Sequence, residues 1–203
     1  MLDKFLSALG ESLGLKKPNP ARKAGEALYA SAVSQSRQVV FYTDYGVKDE
    51  IGARFELLVL HVVLLISRLK SENEQHRETS QALFDSLLLA LDDTLREQGV
   101  GDLTVPKKMK KLSQQVYTRL VRWDEIWEEA VPETRNAAQA DYLLRTVYAA
   151  DEEPDAQAPL WAAALSDYIH EVRTRVGADG LLAGEVVWPE VKPLVKRLDV
   201  QEN

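Results

Sequence analysis

The stretch "LLVLHVVLLI", Leu57 to Ile66, limits what this chain can fold into more than any other part of it. It sits inside a segment from about Glu50 to Lys70 that is apolar nearly all the way round when wound as a helix. A bilayer span needs about 20 consecutive apolar residues, so a run of ten is too short to cross a membrane. A helix that is hydrophobic on every side must instead be enclosed by other helices. The segment therefore predicts a central helix and requires neighbours with apolar stripes of their own.

Those stripes are present at helical spacing. Leu2, Phe5, Leu6, Leu9 and Leu13 share one face of a first segment. Asn19 and Pro20 then provide a cap and a first helical position, and the alanines that follow permit close helix approach. The loop "FYTDYGVKDE" leads into the central helix, with Asp49 as its expected cap. Leu83, Phe84, Leu87, Leu88, Leu91 and Leu95 form the stripe of a helix from about Gln75 to Gln98, which Gly99 would stop. Met109, Leu112, Val116, Leu120, Trp123 and Trp127 line another from about Pro106 to Ala130. A shorter helix is expected from about Arg135 to Ala149, followed by the acidic connector "ADEEPDAQAP". Leu160, Leu165, Ile169, Val172 and Val176 then lie on an amphipathic helix, followed by a turn at "GADG" and a short final helix after Pro189. No strand-like alternation runs longer than four residues. The expected fold is all-α: an amphipathic helix over 1–18, one compact multi-helix domain over 19–176, and a C-terminal extension over 177–203.

The composition narrows the function. With no cysteine, a disulfide framework, a thiol nucleophile and Cys-based metal sites are excluded. The opening "MLDKFLSALGESLGLKK" carries Asp3 and Glu11 and lacks a continuous apolar segment, which fits neither a secretory nor a mitochondrial leader. A bacterial, cytoplasmic protein is expected. His61, His76 and His170 stand far apart, outside any metal-binding spacing. Neither a metal nor another cofactor is expected. "QGVGDL" follows a helix rather than a strand, so it matches no phosphate-binding glycine loop. Asp92 and Asp93 resemble one half of a magnesium–diphosphate motif, but position 96 is arginine. A helical enzyme acting on an isoprenoid or quinone therefore ranks as a rival reading, and the chain reads as a non-enzyme. His61, alone in an apolar helix, reads as a neutral core histidine bonded to a backbone carbonyl or a nearby side chain.

One stretch breaks a local rule. In "LREQGVGDLTVPKKMKKL" a new helix opens with Lys107, Lys108, Lys110 and Lys111. A helix N-terminus carries roughly half a positive charge, so cations there are unfavourable by about 0.3–1 kcal/mol each. From Leu103 to Trp123 the chain has six basic residues, these four with Arg119 and Arg122, and no acid, within a protein of net charge −7. Projected at about 100° per residue, the lysines and Arg122 face away from the Met109–Trp127 stripe and Arg119 sits at its edge. A broken rule without local compensation is where function is expected, and the six residues are expected to bind a partner. An RNA-binding protein associated with the ribosome is a further rival reading of this charge.

The same stretch, with "YGVKDEIGARFELLVLH", "LHVVLLISRL" and "ALFDSLLLALDDTLREQGVGDLTVPKKMKKLSQQVYTRLVRWDEIW", resembles the ubiquinol–cytochrome c chaperone family over about residues 20–170. The resemblance is to the alphaproteobacterial members. It implies an all-helical, non-enzymatic assembly factor for the respiratory complex III that binds newly made cytochrome b at the inner membrane. Mitochondrial relatives work near the ribosome with a small partner protein. The resemblance places His61 at the family's histidine in the central helix. Asp93, Gly99, Gly101, Asp102 and Lys108 to Lys111 fall within its signature. Val62 and Val63 stand where relatives often carry aromatic residues.

Overall fold

The computed structural model describes residues 19–70, 73–149 and 155–194. Within them the chain forms eight helices and no strand. The expected first helix over 1–18 lies outside the described residues, as do the middle of the acidic connector and the chain beyond 194.

Helix α1, Pro20–Ser36, starts where its sequence dictates: Pro20 takes the first position and the Asn19 side chain accepts the Ala21 N–H at 3.0 Å. Its buried face is made largely of small residues, Ala21, Ala24, Gly25, Leu28 and Ala32, and it packs chiefly along α4, Glu74–Glu97. At the crossing a Cβ on Gly25 would stand 2.6 Å from the backbone of Ala82 and Leu83, so only glycine lets the helices approach this closely.

A short helix, α2 (Val39–Thr43), occupies what the sequence suggested was loop. Helix α3, Ile51–Arg68, buries Leu57 and every residue from Val59 to Leu65, and it meets α1, α4, the long α5 (Val105–Glu128) and α7 (Ala158–Arg175). Each large apolar side chain enclosed this way contributes about 1.5–3 kcal/mol, which makes α3 the axis of the core. Its cap differs from the expectation. Glu50 takes the capping position with no side-chain bond, while Asp49 pairs with the Arg54 guanidinium. That charged partner outcompetes backbone N–H groups for the carboxylate.

Helix α6, Pro132–Leu144, begins three residues earlier than expected, because Pro132 opens it rather than merely ending α5. It packs against α7. "GADG", expected as a turn, instead opens a second short helix, α8 (Ala178–Leu182). Residues 185–193 carry no regular structure. They are held by the Trp188 indole N–H to Ser31 Oγ at 2.9 Å and by the Tyr45 hydroxyl to the Lys192 carbonyl at 3.2 Å, and Val191 and Leu194 are buried. No helix among the described residues is long and apolar enough to cross a membrane.

Candidate functional site: a lysine edge and the cleft beside it

The turn that presents α5 is built from backbone geometry. Helix α4 ends with Gly99 at φ 76°. Its N–H bonds the Arg96 carbonyl at 2.9 Å, and the Val100 N–H bonds the Leu95 carbonyl at 3.1 Å. This paired closure needs a left-handed residue, which glycine adopts without a Cβ penalty. Gly101 follows, accepting from Thr104 and Val105, and exposed Asp102 pairs with Arg96 at 2.8 Å. Arg96 also holds Asp92 at 2.5 Å, so one carboxylate of the Asp92–Asp93 pair is already engaged. Asp93 is exposed.

Helix α5 then starts without help. Thr104 makes no side-chain capping bond and the first turn has no acid. Buried Val105 pins the start to the core, while Leu103 is 99% exposed. Lys107, Lys108, Lys110 and Lys111 are all exposed, and none makes an ion pair among the described residues. The two arginines further along behave differently. The Arg119 guanidinium reaches back to α3 and grips both carboxylate oxygens of Glu56, with Nε to Oε2 at 3.0 Å. That fork is largely shielded, with side-chain exposures of 20% and 13%, and the bond to Glu56 raises the already high pKa of Arg119. Arg122 pairs with Glu125 at 2.8 Å. Of the six expected binding residues, only the lysine quartet finds no ionic partner among the described residues.

A cleft of about 440 Å³ lies two turns further along α5, between the end of α3, the first half of α4 and the middle of α5. Ile66, Leu69, Phe84, Tyr117 and Leu120 give it an apolar lining, and Lys70, Arg77 and Asp124 contribute charge. Tyr117 is 61% exposed. It stands seven residues after Lys110, two helical turns on the same face, and Val121 continues that line at 37% exposure. Sequence reasoning missed Tyr117, although its spacing from Lys110 carried the signal.

His61 lies well inside the fold and is fully buried. Its Nδ1 is 2.7 Å from the Leu57 carbonyl, which can only accept, so Nδ1 carries the proton. Nε2 is then an acceptor and takes the Tyr168 hydroxyl at 3.1 Å. Tyr168 in turn accepts from Gln35 at 3.0 Å, and Gln35 accepts from Gln38 at 2.6 Å. Phe41 and Trp188 present their edges to the imidazole, with ring centres 5.5 and 5.4 Å away. Burial pushes the His61 pKa down to about 4, opposed by the backbone bond to Leu57, so the ring is neutral at pH 7. Burial likewise raises the Tyr168 pKa. This neutral, fully bonded chain ties α1, α3 and α7 together. Among the described residues no three His, Asp or Glu side chains gather as a metal site.

The family model described as "Ubiquinol-cytochrome C chaperone" matches residues 43–188, a span that contains the central helix, the Gly99 turn, the lysine edge and Trp188. The chain belongs to the ubiquinol–cytochrome c chaperone family. Its fold is similar to the crystal structure of the Cbp3 homolog from Brucella abortus, with a TM-score of 0.70 and 27% identity. That similarity covers 94% of this chain and 98% of the other. No curated protein sequence matches the chain. Membership assigns it a chaperone role in assembly of the ubiquinol–cytochrome c complex, and with that role a protein partner.

Proposed function

We propose that this chaperone holds newly made cytochrome b through the lysine edge of α5 and the adjoining cleft, and that it acts by binding rather than by catalysis. The observation that carries this reading is the continuity of the two surfaces. Lys110 and Tyr117 share one face of α5. Lys107, Lys108 and Lys111 stand around the same end of that helix as Lys110, with no counter-ion to any of the four among the described residues. Tyr117 lines the apolar cleft of about 440 Å³. An unassembled membrane subunit has apolar segments that need cover and polar ends that need orientation. A cationic edge beside an apolar cleft offers both, the cleft excluding water and the lysines fixing direction.

A quadruple reversal, Lys107, Lys108, Lys110 and Lys111 each to Glu, tests the edge, because exposed side chains can be exchanged without disturbing the core. The circular dichroism should match the wild type and the melting temperature should be at least as high, while photo-crosslinks from Tyr117 to cytochrome b disappear. A reversed variant that still captures cytochrome b and still supports assembly of the complex would remove the edge from the mechanism. The same crosslinks distinguish the other surfaces this edge could meet: ribosomal components, a small partner protein, or lipid of the inner membrane at its cytoplasmic face.

A further inference from the structure

A second cationic site lies away from the lysine edge, at the end of the bundle where α3 and α7 finish and α6 begins. Its centre is Arg173. The guanidinium stacks over the Trp127 ring, with its carbon 4.6 Å from the ring centre. The group is half-buried, and its Nε is fully enclosed without a hydrogen-bond partner. Arg173 makes no ion pair among the described residues. Two more arginines are fixed around it. Arg68, at the end of α3, donates its Nε to the carbonyl of Val176, three residues beyond Arg173, at 2.9 Å. Arg135, in the first turns of α6, donates to the carbonyl of Glu129, two residues beyond Trp127, at 3.0 Å. Each arginine is thus anchored through one nitrogen to backbone, or through its face to an aromatic ring, and keeps further N–H groups for a ligand.

The charges do not balance locally. Burial first, and then the like charges of Arg135 and Arg68, push the Arg173 pKa down, and the acid that opposes them is Asp124. Asp124 is already shared with Lys70 at 3.4 Å. A half-buried guanidinium that finds no acceptor among the described residues and sits near like charges is an uncommon arrangement in a folded protein. Its terminal nitrogens, not the enclosed Nε, are the donors left for a ligand. A planar fork held rigid by stacking is suited to two oxygens of one anion. The Arg173 guanidinium thus has two like charges beside it and one opposing carboxylate that is already shared, a surplus that a singly charged carboxylate would only partly neutralise. A phosphate group, carrying about −1.5 to −2 charges at neutral pH, matches it better.

We propose that Arg68, Arg135 and Arg173, with Trp127 as the platform, form a binding site for a phosphate group. The site is separate from the lysine edge, and its role does not depend on how the chaperone grips its client. Inorganic phosphate is the first probe, compared with chloride at matched ionic strength. Phosphate should raise the melting temperature of the full chain and change its tryptophan emission, because Trp127 lies directly beneath Arg173. Arg173→Gln should weaken phosphate binding about tenfold, the loss expected for a charge-assisted bond. Arg173→Lys, which keeps the charge but loses the fork, should fall between the two. Arg135→Gln gives an independent measurement should Arg173→Gln fail to fold. Equal responses to phosphate and chloride would overturn the site, and so would folded arginine variants that retain the wild-type phosphate response. Sedimentation with phosphatidylcholine vesicles, with and without phosphatidic acid, separates the sources of the phosphate. Retention that requires both phosphatidic acid and Arg173 assigns a lipid headgroup. A phosphate response without retention assigns a soluble phosphate compound.

Discussion

The interior around His61 and the edge around Lys107 place polar groups under opposite conditions. Inside, water is absent and each bond has a fixed direction: carbonyl, imidazole, phenol and two amides pass hydrogen bonds along one chain without a net charge. At the edge, four full charges stand without partners among the described residues and against the dipole of their own helix. The difference is one of solvent. An unmet donor in the core loses about 1–3 kcal/mol, whereas an exposed ammonium is satisfied by water and its unfavourable dipole term is small. Completeness inside therefore reports stability, and incompleteness outside leaves groups available for binding. The Arg119–Glu56 fork lies between the two, charged but shielded and fully paired.

The largest expected effect comes from charging the interior. His61 has a pKa of about 4 in the folded protein against an ordinary value of 6.5. Between those values the unfolded chain binds the proton more readily than the folded one. The contribution of His61 is complete above about pH 6.5 and is lost as the pH falls toward 4, about 3 kcal/mol in all. Urea denaturation across that range should show the loss in the wild type, and a His61→Gln variant should lack this pH dependence. Next comes the intermediate case. Glu56→Ala leaves Arg119 shielded without its carboxylate and should cost about 2–3 kcal/mol, since breaking a shielded pair from one side strands the other charge. If the cost is as small as that of an exposed pair, under about 1 kcal/mol, the fork belongs with the surface. The smallest effect has the opposite sign. Lys107→Glu places a carboxylate in the first turn of α5, three residues after Thr104, and should raise stability by about 0.3–1 kcal/mol while weakening capture of cytochrome b. Lower stability would mean that Lys107 has an interior role.

Features of the fold encoded in neighbouring residues were legible in the sequence. The all-round apolar run predicted that α3 is central, and Gly99 predicted where α4 stops. Asn19 and Pro20 marked the start of α1. Features that depend on distant residues were not legible. The side-chain partner of His61, Tyr168, stands 107 positions away, and Gln35 lies one bond further. Arg119 finds Glu56 63 positions back. Helical periodicity says which face a side chain takes, and nothing about which side chain from another helix will meet it. Local competition explains the misplaced cap, where Asp49 had a nearby arginine to prefer. Proline explains the shifted start of α6, because Pro132 is well suited to the first position of a helix. The cluster around Arg173 escaped notice because its three arginines are scattered from position 68 to 173, with no basic run to mark them.

The hold of Trp188 on Ser31 has a consequence for how the domain acquires its structure. The contact joins residues 157 positions apart, and Trp188 also places its ring edge against His61. All eight helices named among the described residues are synthesised before the residue that closes over the imidazole. Long-range closures form slowly because much chain entropy is lost before they are rewarded. The helices can therefore collapse early around α3, while the last phase of folding waits for Trp188 to dock. Replacement of Trp188 is expected to slow or remove that last phase and to leave the helices intact.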